Sequence, residues 1–355
     1  MDFKTSSYVE DALQKLIEHN IYGYTNIQKG DGFFEAVQGW MKRHHNWEVL
    51  PKWHVQTPGV CFAIANAIRA YTNAGDAVII QQPVYYPFSN IILQNNRKLV
   101  NSDLVYDGEG YYSIDFDDFE AKIKENNVKL FILCNPHNPV GRVWTKDELE
   151  KLGYICRKHN VIVFSDEIHF DFIWKGPHRI FQDVKPEFKE FTITATAPSK
   201  TFNLAGAQQS NIFISNKELK DQFVKEYDVS GLGKPNCFGI AATEAAYTYG
   251  DEWYEAVKKY IKSNIDFTRD YIEQNIPGVR LVPTEGTYLI WLDFADTGID
   301  AKALDDLIIN KAGLWLDSGR IFGTAGYGFQ RINTACPRSV LTEALERIKK
   351  CLEDC

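Results

Sequence analysis

Short β-branched runs alternate with longer stretches of helical periodicity through most of this chain, and that alternation limits the possible fold more than any other feature. The runs fall at 77–81, 128–133, 161–164, 191–195 and 211–215. The best-marked helix opens at Thr145-Lys146-Asp147-Glu148, a capping-box pattern, and runs towards His159 with Leu149, Leu152, Ile155 and Cys156 at helical spacing. Strands that alternate with such helices build a mostly parallel sheet covered on both faces, whose ligands gather beyond the carboxyl ends of the strands. From about residue 252 the pattern changes. A helical pattern at 253–274 is followed by strand candidates at 279–282 and 287–294, a helix at 301–311, a short strand at 329–333 and a last helix at 339–352. This tail reads as a smaller α+β domain. The first twenty residues also look helical and are assigned to it, giving a large α/β domain over 21–251 and a small one over 1–20 plus 252–355. A chain of 355 residues suits two cores of these sizes.

Composition removes several functional classes. No apolar run approaches the roughly 18 residues of a membrane span, and nothing near Met1 reads as a secretory signal, so a soluble cytoplasmic protein without a membrane partner is expected. The net charge is −8 with no basic block, which argues against nucleic acid as a partner. The seven cysteines form no C-x-x-C pair, and several sit in apolar strings such as Leu130-Phe131-Ile132-Leu133-Cys134. Free thiols in a reducing compartment follow.

Polar residues cluster where strands end. Phe164-Ser165-Asp166-Glu167-Ile168-His169 delivers an acidic pair and a histidine after an apolar strand. Alone, this reads as a helix or turn cap as readily as a functional site. His169-x-Asp171 matches two ligands of a 2-His-1-carboxylate iron site, but such sites favour all-β folds and no metal is expected. Asn135-Pro136-His137-Asn138-Pro139 alone is a proline-stiffened turn, and Lys200 in Ala197-Pro198-Ser199-Lys200-Thr201 alone is a surface lysine. Together, an Asn, an Asp and a Lys at successive strand ends are the parts needed to hold a pyridine aldehyde. The lysine forms the Schiff base and the aspartate keeps the ring nitrogen protonated.

At this point the chain resembles the fold-type I pyridoxal-phosphate enzymes, and within them the MalY/PatB-type cystathionine β-lyase branch of the class I/II aminotransferase superfamily. The resemblance rests on Thr57-Pro58-Gly59-Val60, Pro83-Val84-Tyr85-Tyr86-Pro87, Cys134-Asn135-Pro136-His137-Asn138-Pro139-Val140-Gly141-Arg142, Ser165-Asp166-Glu167-Ile168-His169, Pro198-Ser199-Lys200-Thr201-Phe202-Asn203 and Arg331-Ile332-Asn333-Thr334-Ala335-Cys336-Pro337-Arg338. It implies a mostly parallel seven-stranded sheet flanked by helices. It also implies that Lys200 is the Schiff-base lysine and the base for the α-proton, and that Asp166 pairs with the pyridinium nitrogen. Asn138 is expected on the phenolic oxygen with His169 beside it, and Tyr85 stacked on the ring. Gly59, Val60, Cys61 and Ser199 are expected around the phosphate, with Tyr24 reaching it from the other subunit of a homodimer. Arg331, with Tyr86 and Asn138, is expected to hold the substrate and its α-carboxylate.

Gln208 stands where many aminotransferases place a phosphate-binding arginine, and this favours the lyase branch. Relatives carry about thirty further residues before the segment matching Met1-Asp2-Phe3, a stretch expected to cover the substrate entrance and help hold the dimer. The implied activity is α,β-elimination of L-cystathionine or L-cysteine to pyruvate, ammonia and a thiol. Its rivals are an aminotransferase and a regulatory protein that keeps the fold. Three weaker signals complete the reading. The glycine-rich stretch 319–328 reads as a mobile loop near Arg331 or a surface hairpin, His44-His45 as a solvated helix end, and Tyr288 as a core tyrosine rather than a pocket one.

Overall fold

The computed structural model describes residues 1–25 and 32–354. Its strands in chain order begin with β1 (His54–Thr57), β2 (Ala77–Ile80), β3 (Lys98–Asn101), the small ribbon β4 (Val105–Tyr106) and β5 (Tyr112–Ser113), and β6 (Leu130–Cys134). They continue with β7 (Ile162–Asp166), β8 (Thr192–Thr196) and β9 (Ser210–Ile214). Seven of these form the central sheet in the order β1-β9-β8-β7-β6-β2-β3. From β8 across to β3 the neighbours are parallel, while β9 and β1 are antiparallel additions. The expected mostly parallel seven-stranded sheet is therefore present. Strands β6, β8 and β9 are buried along their whole length, because helices cover both faces of the sheet. The strands that the sequence pattern does not mark are the two at the edges. Partial exposure there admits His54, Gln56 and Lys98, which break the apolar run.

One face of the sheet packs Ile64, Ile68, Phe88 and Phe223 from three helices, and the other packs Phe119, Leu149, Leu152 and Phe188. Each such side chain contributes about 1.5–3 kcal/mol of burial. The predicted capping box forms: Glu148 N donates to Thr145 Oγ1 at 3.3 Å, and Thr145 N donates to Glu148 Oε2 at 2.8 Å. It opens the helix Lys146–Lys158, whose Leu149, Leu152 and Cys156 are buried.

The second sheet holds β10 (Arg280–Leu281), β11 (Leu289–Asp293), β12 (Asp317–Ser318) and β13 (Phe329–Asn333), antiparallel in the order β10-β11-β13-β12. Ile261, Ile265 and Ile272 of the helix Asp251–Asn275 and Leu341, Leu345 and Ile348 of the helix Arg338–Glu353 belong to the core beside it. The predicted helix at 301–311 is α-helical only over Ala301–Asp306 and widens to π geometry over Leu307–Lys311. The helix Ser7–His19 lies against Cys237–Tyr249, while Asp2 N donates to Ala335 O at 2.8 Å.

Two local expectations need correction. The stretch 319–328 is neither a hairpin nor a loose loop but two short 3₁₀ turns, Gly319–Phe322 and Thr324–Gly326, pressed backbone to backbone. A Cβ on Gly319 would stand 1.9 Å from Gly326 O, so glycine is required by close approach. His44 and His45 are not solvated: His45 is 7% exposed with its Nε2 2.7 Å from Asp171 Oδ1, and His44 Nε2 lies 2.5 Å from Asp251 Oδ1. The helix Phe33–His45 ends against the segment after β7, where carboxylates compensate the burial of the two rings. Among the described residues, no helix is long and apolar enough to cross a membrane, and Cys61, Cys134, Cys156, Cys237 and Cys336 form no disulfide.

Candidate active site

The carboxyl ends of the parallel strands converge on one cleft. Strand β7 ends at Asp166, and β6 runs into the turn that carries Asn138. Strand β8 leads into the single turn Pro198–Thr201, where proline occupies the first helical positions and Lys200 follows. Strand β1 passes through Gly59 into the helix Val60–Tyr71, and β13 brings Arg331 across from the second sheet. The cleft holds about 380 Å³ and is lined by Gly59, Val60, Cys61, Tyr85, Tyr86, Asn138, Asp166, His169, Ser199, Lys200 and Arg331. Of the residues expected at the cofactor or substrate, Tyr24 does not line it, being 97% exposed in the single chain. Gln208 also lines the cleft. So does Tyr288, which is buried and meets His169 edge-on at 5.7 Å; it is a core residue and a pocket residue at once.

The electrostatics are dominated by burial at the strand ends. Burial raises the Asp166 carboxyl to about 7, against a hydrogen bond from Ile168 N at 3.1 Å and the nearby Lys200 ammonium, both of which favour the charged form. Burial, and then the Arg331 charge, lower the Lys200 ammonium below its ordinary value. Burial holds His169 neutral, and its Nδ1 has no hydrogen-bond partner. Burial also raises the Cys61 thiol to about 11 and pushes the Tyr85 phenol up, so neither is ionised near neutrality.

Two hydrogen-bonding features define what the cleft can hold. The helix Val60–Tyr71 starts at Gly59, at φ 144°, without a side-chain cap, so its first N–H groups remain as an anion cup. On the opposite wall, Arg331 Nη1 donates to Asn138 Oδ1 at 2.9 Å. Arginine can only donate, which fixes the Asn138 amide and leaves its NH₂ as a donor for another oxygen. The Nε and Nη2 edge of Arg331 is taken by Asp317, with Nε 3.1 Å from Oδ2 and a short contact from Nη2. The Phe322 ring lies 4.9 Å from the guanidinium. Sequence reasoning missed Asp317, because it reaches Arg331 only through the pairing of β12 with β13. The donor set therefore fits a phosphorylated heterocycle with a cationic nitrogen and an anionic ring oxygen, beside a carboxylate.

Among the described residues, no group of three or more His, Cys, Asp or Glu side chains is arranged to hold a metal. Asp171 instead accepts hydrogen bonds from Trp40 Nε1 at 3.1 Å and from Thr201 Oγ1, and pairs with His45.

The architecture is that of the fold-type I pyridoxal-phosphate-dependent transferases. Residues 1–348 match aminotransferase class I and II, and the chain belongs to that family. It is 38% identical over 353 residues to cystathionine β-lyase PatB of Bacillus subtilis, covering 99% of this chain and 90% of that one. It is 31% identical to protein MalY of Escherichia coli, over 97% and 88% of the two chains. Among solved structures, cystalysin of Treponema denticola, which contains a pyridoxal 5'-phosphate cofactor, superposes with a TM-score of 0.96 at 41% identity, covering 100% of this chain and 89% of that one.

The raised Asp166 carboxyl has a consequence for the cofactor-free protein. Between about pH 4 and 7 the folded state keeps a proton on Asp166 that the unfolded chain has released, so the contribution of Asp166 to stability falls as pH rises through that window and is flat above it. The buried histidines His54 and His137, held neutral by burial, contribute in the opposite sense, so the test is the difference between two proteins. In urea unfolding of cofactor-free protein, the stability of the parent relative to Asp166→Asn is expected to fall through that window. A difference that does not change with pH would assign the pH dependence to other groups.

Proposed function

We propose that this chain is a pyridoxal-phosphate-dependent carbon–sulfur lyase acting on L-cystathionine- and L-cysteine-type substrates by α,β-elimination, with pyruvate, ammonia and a thiol as products. The observation that carries this reading is the full-length likeness to a cystathionine β-lyase. The convergence of Lys200, Asp166, Asn138 and Arg331 in one cleft supports it. When bound, the cofactor supplies an electron sink that lets charge leave the substrate α-carbon.

The residues then have distinct tasks. The N–H groups of Val60 and Cys61 and the Ser199 hydroxyl hold the phosphate beside Gly59. Asp166 keeps a proton on the ring nitrogen, and that cation removes the reason for its own raised proton affinity. The Asn138 amide and His169 would hold the ring oxygen, and Tyr85 would pack against the ring. Arg331, oriented by Asp317, binds the substrate α-carboxylate, with Tyr86 at the mouth. Lys200 takes the α-proton at Nζ, for which its lowered proton affinity suits it. The bond from the β-carbon to sulfur then breaks and the sulfur leaves with the electron pair. The unsaturated amino acid released hydrolyses to pyruvate and ammonia. The proposal includes a cytoplasmic homodimer in which the exposed Tyr24 reaches the neighbouring phosphate, and a division into 21–251 and 1–20 plus 252–355.

Purified protein with pyridoxal phosphate, L-cystathionine and no keto acid is expected to release pyruvate. Turnover only when a keto acid is added would make it an aminotransferase, and cofactor binding without any turnover would favour a regulatory role.

The carboxylate clamp makes its own prediction. Arg331→Ala is expected to raise KM about 100-fold, the loss of two charge-assisted hydrogen bonds. Asp317→Asn is expected to raise KM about tenfold with kcat nearly unchanged, because the guanidinium stays but loses the anion that aims it. A fall in KM for Asp317→Asn would mean that Asp317 competes with substrate rather than positioning Arg331.

A further inference from the structure

A second cavity, of about 600 Å³, lies between the end of the helix Phe33–His45, the segment after β7 and the start of the helix Asp251–Asn275. It shares no lining residue with the Lys200 cleft, and its volume is that of a small-molecule site. Its charge is unbalanced. Arg43, Lys146, Arg179 and Lys258 line it against Asp171 and Asp183. Both carboxylates are already engaged, Asp171 by His45 at 2.7 Å and Asp183 by Lys189 at 3.0 Å. Arg43 and Lys146 are likewise paired, with Asp251 at 3.2 Å and Glu150 at 3.3 Å.

Arg179 and Lys258 are left over. Lys258 Nζ donates to the Tyr254 hydroxyl at 2.9 Å, and neither side chain has a carboxylate partner among the described residues. The buried wall adds two unsatisfied groups. Trp47 Nε1 and His178 Nδ1 are both buried without a partner, in side chains that line the cavity and are at most 3% exposed. An indole N–H can only donate, and no described residue accepts from this one. His178 Nε2 donates to Glu167 Oε2 at 2.7 Å, so Nδ1 is the ring's acceptor nitrogen and the indole alone lacks an acceptor. The floor of the cavity includes Asp171, which also accepts from Thr201 next to Lys200.

We propose that this cavity binds a small, multiply charged anion through phosphate or carboxylate oxygens, at a site separate from the catalytic cleft.

Calorimetric titration of the cofactor-saturated protein with pyrophosphate and, separately, with citrate tests this. At least one anion is expected to bind once per chain, and their relative affinity distinguishes a phosphate from a polycarboxylate ligand. The double variant Arg179→Ala/Lys258→Ala is expected to weaken that binding at least tenfold, and Trp47→Phe to weaken it several-fold. Elimination kinetics without added anion should be unchanged in the double variant, since neither residue touches the cleft. No heat from either anion, equal affinity in the double variant, or binding that vanishes once the cofactor saturates the protein would each overturn the proposal. Heat of binding is read without turnover, so failure of the lyase reading would leave this result standing.

Discussion

Lys200→Ala is expected to lower kcat for pyruvate release by about 10,000-fold or more, the upper range for removing a positioned proton-transfer group. The argument is geometric. Lys200 sits on the single turn after β8, beside Asp166 and Arg331, and burial together with the Arg331 charge lowers the proton affinity of its amine. A surface lysine stays protonated and is a poor base at neutral pH, whereas burial and the Arg331 charge move this one towards its neutral form. Lysine is also the residue that captures a carbonyl reversibly, so on the proposed reading the same substitution is expected to remove the covalent anchor for the cofactor. Borohydride reduction followed by peptide mass spectrometry should label the Lys200 peptide in the parent protein and no peptide in the variant. A variant that remains reducibly labelled, or that retains more than a hundredth of the parent rate, would move both roles to another residue.

Asp166→Ala is expected to cost about 100- to 10,000-fold in kcat with a smaller change in KM. The carboxylate lies at the buried end of β7, where burial raises its pKa to about 7. A buried anion without a cation is unfavourable, and a ring nitrogen that can take a proton is the partner that relieves it. The variant should still bind cofactor through Lys200 and the helix amino terminus, which separates loss of chemistry from loss of binding. Solvent exchange of the substrate α-proton measures the step directly. Near-normal exchange in Asp166→Ala would mean that the ring does not depend on this carboxylate.

Most of the cleft was legible in the sequence because its residues sit at the junctions of short elements. An apolar strand followed at once by Ser165-Asp166-Glu167, or by Ala197-Pro198-Ser199-Lys200, can end only where the sheet ends, and in a parallel sheet those ends share one side. Helix limits were equally readable where a cap is local, as at Thr145 and Glu148. What failed to show was pairing between distant segments. His44 and His45 look solvated in isolation, since nothing near them in sequence announces Asp171 or Asp251. The glycines of 319–328 suggest looseness until Gly319 is seen against Gly326.

The sequence by itself determined the order of strands and helices, the placing of Asp166, Asn138 and Lys200 at strand ends, and the family resemblance. These depend on side-chain period, capping and turn chemistry, which act over a few residues. Only the tertiary structure decided that Asp317 aims Arg331, that Tyr288 meets His169, and that Arg179, Lys258 and Trp47 surround a second cavity. Those contacts are set by strand register and by how helices dock across the sheet. A two-residue strand such as β12 carries too little pattern to reveal its partner in advance.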